Sequence, residues 1–223
     1  KPTSQITLNC VEIAIHSCRL TLTDGQTVSP CDTRFDQSRE TATFKFDSNI
    51  PLGSAQLEIQ FSGELNDKLR GFYRSHYADI NGREQCLATT QFEATDARRA
   101  FPCWDEPSIK ATFEVTLVIP SELVALSNMP AVSESEVRPD VKAVSFAETP
   151  VMSTYLLAFV VGDLAAVEHQ AADGTLVRVW TTRGREEQGH FALGVSVHLL
   201  AYFNSYFSIP YPLPKLDHIA IPD

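Results

Sequence analysis

The stretch Ala55-Gln56-Leu57-Glu58-Ile59-Gln60-Phe61 decides the fold class, because apolar and polar residues alternate along it without a break. In an extended chain successive side chains point to opposite faces, so Ala55, Leu57, Ile59 and Phe61 share one side and a polar row lies on the other. A helix would scatter the same residues around its axis. The segment therefore predicts a half-buried strand, ended by Gly63. The same period recurs upstream: Ile6 and Leu8, then Val11, Ile13 and Ile15, alternate with polar neighbours. Leu20 and Leu22 lead into a turn at Asp24-Gly25, and Phe44 and Phe46 precede a break at Pro51-Leu52-Gly53. Downstream, Asn81-Gly82 signals a tight turn between Tyr77 and Leu87. Ala111, Phe113, Val115, Leu117 and Ile119 then alternate with their neighbours until Pro120 stops the strand. Residues 141–146 read as a further strand, and the continuous apolar run at 155–161 as a strand buried on both faces. Ahead of them, between Leu126 and the first of the two, residues 130–140, rich in Ser, Glu, Pro and Asp, read as a solvated connection. The expected architecture to this point is mainly β and antiparallel.

The character changes after Gly174. Residues 176–181 predict a short strand, and residues 185–207 an amphipathic helix. That helix carries Phe191, Val195, Leu199, Tyr202 and Tyr206 at helical spacing, with Glu186 and Glu187 near its favourable amino-terminal end. Pro210, Pro212 and Pro214 break it, and Leu216, Ile219 and Ile221 resume as a strand. This β-α-β unit differs from the β-rich region before it, which places an expected domain boundary near Gly174: residues 1–174 in one domain, 175–223 in the start of another.

Bulk properties narrow the function. The chain has 223 residues, 43% hydrophobic and 21% charged, with a formal net charge of −10. That balance disfavours a phosphate-binding surface, so nucleic acid is not an expected partner, whereas a cationic group would be drawn to the general field. Five cysteines (Cys10, Cys18, Cys31, Cys86, Cys103) make an odd number with no C-x-x-C pair, and no asparagine opens an N-x-S/T sequon. Reduced thiols and a cytoplasmic location follow as the simpler expectation. The longest apolar run, 156–161, is far short of a membrane span, and no targeting segment is visible.

Polar chemistry concentrates in residues 89–107, TTQFEATDARRAFPCWDEP. Gln91 and Glu93 alternate with Phe92, so in an extended segment both polar side chains project to one side while the ring anchors the other. Asp96, Arg98, Arg99, Asp105 and Glu106 interleave acids with arginines, a pattern expected to form ion pairs that brace a loop. The bulky run Phe101-Pro102-Cys103-Trp104 suits an irregular loop clamped by packing, with Cys103 a small buried hydrophobe. The six histidines are scattered. Only His190 and His198 share the expected helix, and at a spacing of eight they cannot share a metal as i and i+4 neighbours do.

The words TQFEATDARRAFPCWDEP (90–107), GFYRS (71–75), ALSNMP (125–130), TPVMSTYLLAFVVG (149–162) and PYPLPKLD (210–217) closely resemble the zinc-dependent gluzincin aminopeptidases, most nearly the puromycin-sensitive, cytosolic type. The match is collinear through nearly the whole chain. It implies a β-saddle amino-terminal domain joined to the first β-α-β elements of a thermolysin-like α+β catalytic domain. The implied enzyme removes single residues from peptides with free amino termini. By the resemblance, Glu93 occupies the position that binds the substrate α-ammonium, and Gln91 lines the pocket for the first side chain. The epoxide-hydrolysing relatives carry glutamine where this chain has Glu93, which points to an ordinary aminopeptidase. In the family, zinc is held by H-E-x-x-H and a downstream glutamate, and the motif's own glutamate activates water; none of these is present here. The expectation is therefore an internal fragment, lacking its first strands and ending before the zinc motif, that contains no catalytic or metal-binding residues and is inactive alone. Two other readings compete: a non-catalytic protein-interaction scaffold of the same fold, against which the presence of both Gln91 and Glu93 argues, and a stand-alone β-sandwich module, which leaves the β-α-β unit unexplained.

Overall fold

A computed structural model describes residues 2–222, and the chain divides into two compact units that interleave in sequence. The first comprises residues 1–72, 91–111 and 153–156; the second comprises 73–90, 112–152 and 157–223.

The first unit contains two three-stranded antiparallel sheets. In one, Thr41–Ile50 lies between Thr3–Asn9 and Asp32–Asp36; in the other, Ile13–Leu22 lies between Thr27–Val28 and Ala55–Gly63. The alternation at 55–61 is read out as predicted on its buried side: Leu57 and Ile59 pack against a core of Leu8, Ile13, Leu20, Phe44 and Phe46, contributed by both sheets. Phe61, farther along the strand, is exposed. The core is all apolar and β-spaced, so the hydrophobic effect and the pleat select the same register.

A four-stranded sheet, all of it in the second unit but for Gly71, Phe72 and Gln91 at the strand ends, runs in the order Val124–Ser127, Phe159–Gly162, Glu84–Gln91, Gly71–Ala78. Leu87, Leu126, Val160 and Leu164 form a core cluster on it. Packing there is tight enough that a Cβ added at Gly162 would stand 2.8 Å from the Leu87 Cβ. The predicted turn at Asn81-Gly82 closes through Asp79, whose carboxylate accepts from the backbone N–H groups of Asn81 and Arg83. Beside this sheet in the chain, Thr116–Pro120, Val141–Phe146 and Ala131–Arg138 form an antiparallel sheet. The expected strand 111–119 is realised in part: the regular strand is Thr116–Pro120, with Lys110–Ala111 a separate short strand, while the alternation persists from Phe113 on, with Phe113, Val115 and Leu117 half-buried, Ile119 buried, and Thr112, Glu114, Thr116 and Val118 exposed.

Three local readings are corrected. Residues 130–140 are not an irregular connection, because Ala131–Arg138 is a strand whose side chains are all exposed and whose order comes from backbone pairing with Val141–Phe146. The apolar run at 155–161 is not one strand: a 3-10 turn, Thr154–Leu156, precedes the strand Phe159–Gly162. The helix, His190–Phe207, follows a separate 3-10 turn, Glu186–Gly189, and it buries a different face from the one its large apolar residues mark. Leu193 and Leu200 face Val177 and Val179, whereas Phe191 is 83% exposed and Tyr206 66%. This helix connects Leu176–Thr182 to Lys215–Ile219, which pair in parallel as the expected β-α-β unit. Leu164–Gln170 completes that sheet antiparallel to Leu176–Thr182, through a turn at Asp173-Gly174.

A buried charge cluster locks the last strand. Asp217 accepts two hydrogen bonds from Arg178, at 2.7 and 3.0 Å, one from Trp180 Nε1 at 3.2 Å, and one from Lys215. Lys215 also donates to the Ser127 carbonyl at 2.7 Å. Burial pulls the Lys215 ammonium below its ordinary range, only partly offset by Asp217. Burial pushes the Asp217 carboxyl up, but its bonds to Arg178 and Lys215 more than reverse this and leave it below the usual carboxylate range.

Candidate functional site

The candidate site is the loop that follows the strand Glu84–Gln91, all within the first unit from Gln91 onward. Phe92 is 2% exposed and packs edge to face against Phe101, ring centroids 5.9 Å apart. Gln91 and Glu93, on either side of it, are both exposed. A backbone bond from the Asp96 N–H to the Phe92 carbonyl, 2.9 Å, closes the loop across Glu93, Ala94 and Thr95. The Glu93-Ala94 peptide is cis. Neither the Gln91 amide nor the Glu93 carboxylate makes a hydrogen bond or ion pair with the described residues. Each is thus free to meet an outside group.

What holds this loop is a network of charges around the short 3-10 turn Ala97–Arg99. Arg98 is buried and donates from Nε to Asp105 Oδ2 at 3.0 Å, from one terminal nitrogen to the Asp105 carbonyl at 3.2 Å, and from the other to Glu40 at 3.2 Å. Asp105, also buried, takes a further bond from the Arg98 backbone N–H and one from the Thr154 hydroxyl at 2.8 Å. Arg99 reaches Asp96 at 2.7 Å, Glu12 at 2.9 Å and Glu40 at 3.4 Å. Burial alone would draw Arg99 down, yet its bonds to Asp96 and Glu12 hold it above its ordinary value. Four carboxylates therefore surround two guanidiniums, leaving an excess of negative charge beside the loop. Gly71 is required for this approach: its φ is +68°, and a Cβ there would stand 2.8 Å from the Arg99 Cβ.

The expected clamp at 101–104 is present. The backbones of Asn9 and Cys103 exchange hydrogen bonds, Trp104 Nε1 donates to the Thr7 carbonyl at 3.0 Å, and the Asp105 N–H donates to the Asn9 side chain. Cys103 is buried, and that burial pushes its thiol up to about 12, so it is no nucleophile. Glu106, grouped in sequence with the bracing acids, is exposed. Sequence reasoning missed Glu12 and Glu40, the carboxylates that reach Arg98 and Arg99 from turns in which both residues have positive φ, 58° and 53°. Among the described residues no three His, Cys, Asp or Glu side chains come together to hold a metal ion, so the residues present do not fit zinc. No helix among them is long and apolar enough to cross a membrane.

A mainly β, antiparallel domain that ends a strand on a braced, acidic loop is the class of protein in hand. Residues 1–156 match the model of the peptidase M1 N-terminal domain. The chain is 49% identical to "Aminopeptidase M1-A" of Oryza sativa subsp. japonica, over 100% of its own length and 25% of the relative's. It is 46% identical to "Puromycin-sensitive aminopeptidase" of Caenorhabditis elegans, over 99% of its length and 23% of that protein's, and 43% identical to "Aminopeptidase N" of Acetobacter pasteurianus, over 99% and 61%. The chain belongs to the M1 peptidase family. It spans about a quarter of the length of the curated plant relatives it matches.

Proposed function

We propose that this chain supplies the amino-terminus recognition part of a zinc-dependent aminopeptidase that hydrolyses single residues from peptide amino termini. Glu93 receives the substrate α-ammonium and Gln91 shapes the subsite for the first side chain. The observation that carries this reading is that the two side chains flank a buried Phe92, stand exposed, and have no partner among the described residues, on a loop fixed by buried ion pairs. An ammonium about 4 Å from a carboxylate gains about 4 kcal/mol at a protein surface before desolvation is subtracted. That gain is withheld from an internal peptide bond, which has no charge to offer. Zinc, where bound, supplies Lewis-acid chemistry and an activated water, and its ligands belong to residues outside 1–223. In this proposal residues 1–174 are the amino-terminal domain and 175–223 open the catalytic domain. The free thiols of all five cysteines support a cytoplasmic setting.

The test is Glu93→Gln in the full-length enzyme with an aminoacyl fluorogenic amide. A loss of about 2–4 kcal/mol in transition-state stabilisation, roughly 30- to 1000-fold in kcat/KM, is expected. An unchanged kcat/KM would assign Glu93 to solvent. Residues 1–223 alone should neither hydrolyse the amide nor bind stoichiometric zinc, and turnover by them would overturn the division of labour.

A further inference from the structure

Two cations share a single carboxylate on the strands Leu176–Thr182 and Lys215–Ile219. Asp217 accepts from both Arg178 and Lys215, and among the described residues neither cation has a second carboxylate within ion-pairing distance. The side chains are 19% exposed for Arg178, 7% for Lys215 and 6% for Asp217, so two positive charges stand against one negative charge largely out of water, in a chain whose net charge is −10. Buried charges are ordinarily paired, because no solvent is there to stabilise them. Arg178 has a further partner in the face of Trp180, with its guanidinium carbon 4.9 Å from the ring centroid. Lys215 is the cation left short. An ammonium carries three N–H donors, and Lys215 uses two, one on Asp217 and one on the Ser127 carbonyl at 2.7 Å.

Lys215 also lines a cavity of about 180 Å³, all of it in the second unit, whose walls include Leu126, Phe159, Leu213 and Ile219. Tyr211 lines the same cavity. Its hydroxyl makes no hydrogen bond among the described residues, and burial together with the nearby Asp217 charge pushes that hydroxyl above its ordinary range, which puts the phenol beside the charge cluster. We infer that this cavity is a binding site for a small monocarboxylate with a compact apolar body, its carboxylate received by Lys215 and the Tyr211 hydroxyl and its body by the apolar walls. A carboxylate supplies the missing negative charge and accepts from both donors, whereas a neutral carbonyl supplies only the acceptor. A phosphate would bring charge but no apolar surface to cover Leu126, Phe159, Leu213 and Ile219. Size sets the upper limit: about 150 Å³ is enough to enclose benzene, so this cavity takes a single ring or a branched chain of similar bulk. None of these residues lies on the loop that carries Gln91 and Glu93, and the site stands independently of the aminopeptidase reading.

Isothermal titration of the full-length protein with benzoate tests this, with benzamide as the uncharged match in shape. Benzoate should bind with a Kd on the order of 0.1–1 mM, and benzamide at least about tenfold more weakly. Lys215→Met should weaken benzoate by about tenfold or more and leave benzamide unchanged. Leu213→Trp, which puts a larger side chain into the cavity and keeps every charge, should abolish benzoate binding; it decides the question if urea unfolding shows that Lys215→Met does not fold. Benzoate bound no more tightly than benzamide overturns the inference. So does a complete lack of binding, the result expected if a carboxylate from elsewhere in the protein already sits on Lys215. Benzoate binding undiminished in either folded variant places the ligand at another site and overturns it as well.

Discussion

Replacing Asp105 by alanine should be among the most damaging single changes in the first unit, because it strands a buried cation. The Asp105 side chain is 1% exposed and that of Arg98 10%, with Nε and Oδ2 3.0 Å apart. The same carboxylate accepts from the Arg98 backbone N–H and from the Thr154 hydroxyl. After the substitution the guanidinium keeps one carboxylate, Glu40 at 3.2 Å, whose side chain is one-third exposed and already shared with Arg99. Two further donors lose their acceptor. Breaking a buried pair from one side costs about 3–5 kcal/mol, and for a chain of this size each kcal/mol moves the midpoint by about 2–4 °C, so Tm should fall by about 6–20 °C. Asp105→Asn keeps an oxygen toward Arg98 and should lose less, about 1.5–3 kcal/mol. The assay is thermal and urea unfolding followed by tryptophan fluorescence, since Trp104 lies in the loop itself, with Glu106→Ala as an exposed control expected within about 0.5 kcal/mol of the parent. A loss below about 1 kcal/mol for Asp105→Ala would mean that the pair behaves as an ordinary surface bridge, and the reasoning about the braced loop would fail.

The second charge cluster makes an asymmetric prediction: Asp217→Ala leaves Lys215 and Arg178 facing each other without a carboxylate and should cost about 3–5 kcal/mol, whereas Lys215→Met leaves Asp217 still held by Arg178 and should cost under about 2, both read from urea midpoints. Gly162→Ala should destabilise by about 1–3 kcal/mol, because the new methyl overlaps Leu87 within a packed sheet; a neutral result in the same assay would show that the strands can separate to admit it. The thiols should react in order of exposure with a disulfide reagent at about pH 8, Cys86 first and Cys31 more slowly because its hydrogen bond to Asp47 holds it above the ordinary range, with Cys10 and Cys103 labelled only on unfolding. Burial raises Cys10 to about 11 and Cys103 to about 12 from 9.0, so their contribution to stability is intact below pH 9.0 and is lost as pH climbs through those values. A Cys103→Ala variant should show a shallower alkaline decline in urea midpoint, and an unchanged decline would place its origin elsewhere.

How much of this was legible in the chain depended on whether the ordering force acts through side-chain pattern. At 55–61 and 111–119 it does: one face is buried, so the period-two signal and the register are the same fact. Ala131–Arg138 is exposed on both faces and ordered by backbone bonds to Val141–Phe146, which leave no trace in residue polarity. On the helix, two apolar faces compete. Phe191, Val195, Leu199, Tyr202 and Tyr206 make the stronger stripe by size, yet Leu193 and Leu200 are the pair that fits against Val177 and Val179, where close packing leaves no room even for a Cβ at Gly189. Periodicity finds a helix but cannot choose between two apolar sides when what decides is the space available on the sheet. The candidate loop splits in the same way. Arg98, Arg99, Asp96 and Asp105 lie within a few residues of one another, so bracing ion pairs could be read from their spacing. Glu12 and Glu40 reach the same arginines from far along the chain, through left-handed backbone at both residues. Glutamate is a costly choice for that conformation compared with Gly or Asn, and no local preference signals it. What keeps a glutamate in each turn is the guanidinium it meets, so these two positions belong to the loop that carries Glu93 even though nothing near them in sequence says so.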